Sequence, residues 1–416
     1  MLPSPNNQEG RFLNLPRTFR ALNFRNFRLY WFGQIVSTTG TWMQIIAQSW
    51  LVYSMTDSPL MLGVVNFIGL LPVVPISLFG GVMSDRISRR KLIISSELVL
   101  MSQAFMMAFL TWSGHIQIWH IIVLSFVLGA ASAFEQPARL ALIADTVGKE
   151  DLSNAVALNA SVYNTARIIG PVLAGILVAQ IGETGCFFIN GISYFAVILA
   201  LIAMHLPSQE TRSESDTTII VSMVDGFRYI WNHSTIRGLL LIVAVSSFLT
   251  LPYIALMPVF AVDVLRVGAE GLGLLLTAVG VGAIGGTLIV ANLKSKHRGS
   301  WLTISNIISP LLLILFCISQ TYLISLLLLL TVGATNAIRQ TLANSFIQLN
   351  VKERYHGRVM SVFNLLFSGM SRTGALTIGG IAEFIGAPFA IGVGASFSFI
   401  IGVVIYRKMP YITDLQ

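Results

Sequence analysis

Cysteine and charge are both scarce in this chain of 416 residues: there are two cysteines, Cys186 and Cys317, and only 11% of residues are charged. The cysteines lie far apart and inside apolar segments, so neither a disulfide framework nor a zinc-ligand spacing is available, and redox chemistry is not expected. The absence of a Walker A sequence argues against a self-contained ATP-driven pump. The six histidines, His115, His120, His205, His233, His297 and His356, have no metal-ligand spacing. No serine, histidine and carboxylate set converges within one predicted layer, so an enzyme and a bound metal or cofactor are not expected. A secretory signal is missing too: the first 25 residues carry Arg11, Arg17, Arg20 and Arg25 without an apolar core or a small-residue cleavage site. The expectation is a retained, basic cytoplasmic tail over residues 1–26.

What the chain does have is apolar surface. Hydrophobic residues make up 55% and the mean hydropathy is +0.77, which points to lipid as the bulk solvent. The net charge of +8 and pI near 9.7 come from short basic clusters between apolar segments. Without a single basic stripe, these read as topology signals, and no nucleic acid partner is expected. Segments long enough to cross a hydrocarbon layer of about 30 Å fall at 27–54, 58–83, 91–113, 117–145, 153–180, 185–206, 236–263, 271–293, 300–319, 322–349, 357–384 and 387–406. Backbone in lipid must satisfy its own hydrogen bonds, and these runs are too long and apolar for barrel strands, so they predict helices.

With a cytoplasmic N-terminus, every Lys and Arg except Arg167, Arg266, Arg339 and Arg372 falls in a predicted inside segment, Arg139 and Lys149 among them. That asymmetry predicts a multi-pass protein of the cell membrane with both termini in the cytoplasm. The expected division is an N-terminal six-helix bundle at 27–206, a central cytoplasmic loop at 207–235, a C-terminal six-helix bundle at 236–406 and a tail at 407–416. The loop starts polar at Pro207 and ends in VDGFRYIWNH, where Phe227, Ile230 and Trp231 have helical spacing. The halves resemble each other: GAASAFEQPARLA from Gly129 aligns with GATNAIRQTLANS from Gly333, and after a one-residue shift Asn159 and Arg167 match Asn364 and Arg372. Two similar bundles rocking about a central site can expose it to either side in turn, so transport is the leading expectation.

The stretch GGVMSDRISRRKL, Gly80 to Leu92, closely resembles the G-x-x-x-D-R-x-x-R-R loop of the major facilitator superfamily, with Gly81, Asp85, Arg86, Arg89 and Arg90 at the matching places. FRLYWFGQIVSTTGTWMQ, WLVYSMTDSPLMLG, PARLALIADTVGKEDLSNAVALN, ARIIGPVLAG and HGRVMSVFNLLFSG look like the drug:proton antiporter-3 branch, which includes macrolide and enterobactin exporters. The resemblance covers nearly the whole chain. It implies an all-α integral membrane protein with twelve transmembrane helices in two pseudo-symmetric bundles, secondary active export, a proton gradient as the energy source, and a cytoplasmic latch at the five motif residues. For the basic residues of the motif, a pure topology signal is the competing reading.

Within the spans, Gln34, Thr38, Thr41, Gln44 or Ile45, and Gln48 recur at helical spacing. Such a stripe would line an aqueous cavity or act as polar glue between helices. Four ionisable residues are taken to lie near the membrane middle: Glu135, Arg167, Arg339 and Arg372. Similar depths would let Glu135 pair with Arg167. Repeat symmetry puts Arg339 in the place of Glu135, so the second bundle would carry two cations needing a balance: Glu135 reaching across in one state, an anionic substrate group, or snorkelling to headgroups. Arg339 and Arg372 also depart from the branch's pattern. Glu135 is the proton-coupling candidate, because exchanging a nearby arginine for substrate would switch its protonation. Asn159 and Asn364 join the substrate-cavity candidates. Gly170, Pro171 and Gly175 partly match an antiporter motif on the fifth helix. GVGAIGG from Gly280 is a literal G-x-G-x-x-G, but with no preceding strand or acidic partner, Gly282 and Gly286 are read as helix-packing residues. The expected activity is proton-coupled efflux of an amphipathic small molecule by a monomer. The alternatives are a transporter of a lipid-like or anionic metabolite and a non-transporting membrane ligand sensor.

Overall fold

Helix boundaries in the computed structural model follow local chain chemistry. The structure describes residues 17–73, 75–76, 88–148, 150–204, 219–413 and 415. A 3-10 turn at Arg17–Asn23 leads into α1 (Arg25–Thr56), followed by α2 (Pro59–Ile68), α3 (Arg89–Trp112), α4 (Ile118–Thr146) and α5 (Leu152–Ala203). Next come α6 (Ile219–Asn232), α7 (Ser234–Leu249), α8 (Gly268–Asn292), α9 (Arg298–Ile318), α10 (Tyr322–Asn350), α11 (His356–Ile385) and α12 (Ala387–Lys408). There is no strand among the described residues. The start of α2 is fixed by Ser58, whose hydroxyl accepts the Met61 N–H, with Pro59 at the first helical position. Gln117 and His120 satisfy each other's backbone groups at the start of α4. Gly386, at φ 82°, turns the chain between α11 and α12.

Among the described residues, eight helices are long and apolar enough to cross a membrane. One of them, α5, has 52 residues, or roughly 78 Å at 1.5 Å per residue. It is broken at Gly182, whose φ of 71° is open to glycine at little cost, so its two arms each have a crossing's length. Both α1 and α11 have the length but fall short on apolarity, because each carries a run of polar side chains within its span. Large apolar residues such as Phe32, Phe109, Leu199, Leu288, Phe384 and Phe397 are exposed, as expected for surfaces solvated by acyl chains.

Packing divides the chain into two compact units. The described residues of Met1–Ala47, Leu71–Gly170 and Gln180–Glu214 form one; those of Gln48–Leu70, Pro171–Ala179 and Ser215–Gln416 form the other. In the first, Phe27, Tyr30, Ile93, Leu142, Ile143, Leu158, Val197 and Leu201 make a continuous core. In the second, a core runs from Tyr229 through Leu239, Leu302, Leu342, Phe346 and Val359 to Ile412. Lipid gives helices no hydrophobic reason to associate, so close contact depends on small residues. Gly282 and Gly286 of α8 press against Leu330 and Ala334 of α10, and Gly333 returns the contact on Val279. At Gly63 of α2, a side chain would come within 2.5 Å of the Ala375 carbonyl of α11.

Candidate functional site

The first unit has a polar interior built on one face of α1. Thr38 donates to Gln34 Oε1 at 3.3 Å, and the Thr41 and Tyr194 hydroxyls lie 3.1 Å apart. Gln44 donates to Gln103 Oε1 at 2.8 Å and accepts from Asn190 at 2.7 Å. These links join α1 to α3 and to the second arm of α5. Gln34, Thr38 and Gln44 are buried, so in this conformation that part of the polar stripe serves as interhelical hydrogen bonding and not as a cavity wall.

Next to it lies a cluster of ionisable groups. Glu135 and Arg139, one turn apart on α4, form an ion pair, and Arg139 also donates to the Tyr163 hydroxyl of α5. Its guanidinium sits 5.4 Å from the centre of the Tyr163 ring. Glu97 of α3 faces the Glu135 carboxyl and the Gln34 amide, and Tyr30 of α1 lies within electrostatic range of all three charged residues. Glu97, Glu135 and Arg139 are only 1%, 4% and 8% exposed. Glu97 Oε2, Tyr30 Oη, Gln34 Nε2 and Arg139 Nε are buried without a hydrogen-bond partner among the described residues. Two carboxyl groups therefore share one guanidinium in a site closed to solvent.

Two expectations need correction. The partner of Glu135 is Arg139 and not Arg167, whose side chain is exposed; one helical turn brings Glu135 and Arg139 together without help from another helix. Arg139 is consequently not a loop charge, because its guanidinium is buried within the unit. Glu97 is not one of the four ionisable residues that the sequence reading places near the membrane middle. It is a carboxylate inside the predicted 91–113 span, and that position was the signal available.

The second unit contains the remaining arginines. Arg339 of α10 is 3% exposed. Its Nη2 donates to Asn336 Oδ1 at 2.6 Å, which also accepts from the Ser309 hydroxyl of α9 at 3.0 Å. Arg372 of α11 is half-buried and donates to the Gly69 carbonyl at 3.4 Å. Asn159 is buried in the first unit, Asn364 of α11 is exposed, and Gln48 is half-buried in the second unit. Near the Thr56 end of α1, Tyr53 donates to Asp263. Glu383 accepts from the Ser58 hydroxyl at 2.7 Å and from the Leu60 N–H at 3.2 Å, placing a carboxylate at the N-terminus of α2. Gly170 packs on Trp42, while Gly175 faces Ala269 and Gly273, and Gly273 in turn meets the Pro171 carbonyl.

Of the motif residues, Gly81, Asp85 and Arg86 lie outside the described residues. Arg89 pairs with Asp145 at 2.7 Å and donates to the Ala141 carbonyl at 3.2 Å. Arg90 donates to the Ile202 carbonyl at 2.9 Å. The start of α3 is thus tied to the ends of α4 and α5. No cluster of His, Cys, Asp and Glu suited to a metal occurs among the described residues.

Residues 17–414 match the family model described as transmembrane secretion effector. The chain is 25% identical over 353 residues to the staphyloferrin A transporter of Staphylococcus aureus, covering 83% of this chain and 87% of that protein. It is 23% identical over 365 residues to the multidrug efflux pump Tap of Mycolicibacterium fortuitum, covering 85% and 88%. Over 238 residues it is 22% identical to macrolide efflux protein A of Streptococcus pyogenes, covering 57% and 59%. Among solved structures it resembles the nucleoside transporter NupG, with a TM-score of 0.68 at 12% identity over 94% of this chain and 99% of that one. It also resembles a bacterial homologue of the human lysosomal transporter Spinster, with a TM-score of 0.67 at 13% identity over 95% and 96%. These relatives are transporters and not enzymes. The chain belongs to the transmembrane secretion effector family of the major facilitator superfamily, as a multi-pass membrane transporter.

Proposed function

We propose that this transporter exports an amphipathic small molecule in exchange for protons by alternating access. In this reading twelve membrane spans form bundles at 27–206 and 236–406, joined by a cytoplasmic loop at 207–235, with both termini in the cytoplasm. Gly81, Asp85, Arg86, Arg89 and Arg90 act as the cytoplasmic latch. The export activities named for the efflux relatives support the direction.

The observation that carries the reading is the buried Glu97–Glu135–Arg139 cluster. With both carboxylates ionised the cluster has a net charge of −1; with one proton it is neutral. A low-dielectric site penalises the charged state, so proton gain and loss change the cost of keeping the cluster closed. Arg139 holds Glu135, leaving Glu97, with its unpartnered Oε2, as the group open to a proton. Tyr30 and Gln34 tie the cluster's state to α1. Protonation thereby biases one packing of α1, α3 and α4 over another.

The test is pH-driven efflux in proteoliposomes. Glu135→Gln and Glu97→Gln should each abolish acceleration by an inward proton gradient while leaving substrate binding in place. Gradient-driven transport at the wild-type rate in both variants would refute the assignment.

A further inference from the structure

Arg339 sits close to the centre of α10, which runs Tyr322–Asn350. Its guanidinium is bound to Asn336, one turn towards Tyr322 and away from the nearer helix end at Asn350. The side chain therefore does not snorkel. No carboxylate forms an ion pair with it among the described residues. In the first unit the equivalent stretch balances its buried arginine with Glu135 on the same helix; here Arg339 occupies the Glu135 position of the repeat, and no acid among the described residues takes over the balance.

The donors make the gap specific. Arg339 Nη1 and Asn336 Nδ2 are both buried without a hydrogen-bond partner among the described residues. Asn336 Oδ1 is already engaged twice, by Arg339 Nη2 and by the Ser309 hydroxyl, which turns the amide so that its N–H groups are left unused. Two unpaired donors, one of them cationic, lie one helical turn apart on a shared oxygen. A buried cation and a buried amide donor each carry a desolvation cost until an acceptor arrives. A carboxylate carries two acceptor oxygens on one carbon, enough to take one hydrogen bond from Arg339 Nη1 and one from Asn336 Nδ2, and its charge offsets the guanidinium.

We propose that Arg339 and Asn336, braced by Ser309, form a subsite for a carboxylate group of the transported solute. The proposal rests on the export reading and narrows its substrate to amphipathic molecules that bear a carboxylate. The solute's carboxylate supplies the charge that the second unit lacks, so the loaded protein is better balanced than the empty one.

The test uses the purified full-length chain in phosphatidylcholine nanodiscs and three probes sharing one carbon skeleton: 4-phenylbutyrate, 4-phenylbutyramide and 4-phenylbutylamine. At millimolar concentration the carboxylate should raise the unfolding temperature, whereas the amide and amine should not. Arg339→Gln should weaken carboxylate affinity by about tenfold or more, and Arg339→Lys by less. Arg339→Met removes the uncompensated charge at similar volume and should raise the ligand-free unfolding temperature; a purely structural arginine would lower it. Equal shifts from all three probes, no shift from the carboxylate, or a shift unaffected by Arg339→Gln overturns the proposal. A shift seen only when phosphatidylglycerol replaces phosphatidylcholine overturns it in favour of a lipid headgroup. Whether an imposed proton gradient drives 4-phenylbutyrate across proteoliposomes of the same preparation reports on the export reading separately: binding without gradient-driven movement sinks export and leaves the subsite standing, whereas loss of binding sinks the subsite.

Discussion

Removing Arg139 would leave the Glu97 and Glu135 carboxyls buried side by side beside Tyr30 without their cation. Breaking a buried pair from one side costs about 3–5 kcal/mol, because the surviving charge is left uncompensated. Arg139→Leu should therefore lower stability by that amount, read as a fall in unfolding temperature in detergent. Glu135→Leu in the same background should recover a substantial part of the loss, since both ends of the pair are then gone. The i,i+4 spacing of Glu135 and Arg139 is visible in the sequence, yet charge counting alone assigns Arg139 to a loop, because topology rules treat basic residues as markers of side. Glu97 is legible only as a lone carboxylate inside the 91–113 run, and nothing in the sequence shows that it faces Glu135 of α4. Nothing in the sequence places Asn336 next to Ser309, whose link bridges α9 and α10.

Helix-to-helix contact depends on where small residues face a neighbour, and α8 allows a controlled comparison. A side chain at Gly282 would run into the Leu330 carbonyl of α10, whereas one at Gly285 would meet nothing within 4 Å. Gly282→Val should destabilise by about 1–3 kcal/mol or more through overpacking. Gly285→Val should be close to neutral. Parallel thermal unfolding of the two purified variants checks the difference, and equal losses would show that glycine flexibility, not contact, is the common cause. The same GVGAIGG stretch shows how far pattern reading reaches: lack of a strand and of an acidic partner was enough to set nucleotide binding aside, but which glycine touches α10 is a matter of helix rotation. Long apolar runs likewise made most spans legible. In α1 and α11 polarity lowers the apolar signal, and length and flanking charge are what mark them as helices in the sequence.

Across the whole chain, packing joins segments that the sequence separates. Residues 48–70 and 171–179 belong to the same compact unit as the described residues of 215–416, and within it α2 packs on α11 through Gly63, with Ser58 and Leu60 bound to Glu383. A fragment covering residues 215–416 alone therefore lacks helices against which α11 is built. It should unfold at lower temperature and be cut faster by protease than the same region in the intact chain. Adding residues 1–214 as a second co-expressed fragment should restore protection; protection of the lone fragment equal to that of the full chain would argue against the dependence.

The α2–α11 contact also sets a schedule for biosynthesis. Gly63 leaves the ribosome about 300 residues ahead of Ala375, its packing partner, which at 5–20 residues per second is a wait of roughly 15–60 s. During that interval the α2 face that will meet α11 has only lipid, the insertion machinery or a wrong helix to lie against. Slowing translation through the second half of the message should therefore lengthen this exposure and lower the fraction of nascent chains that reach a protease-resistant state.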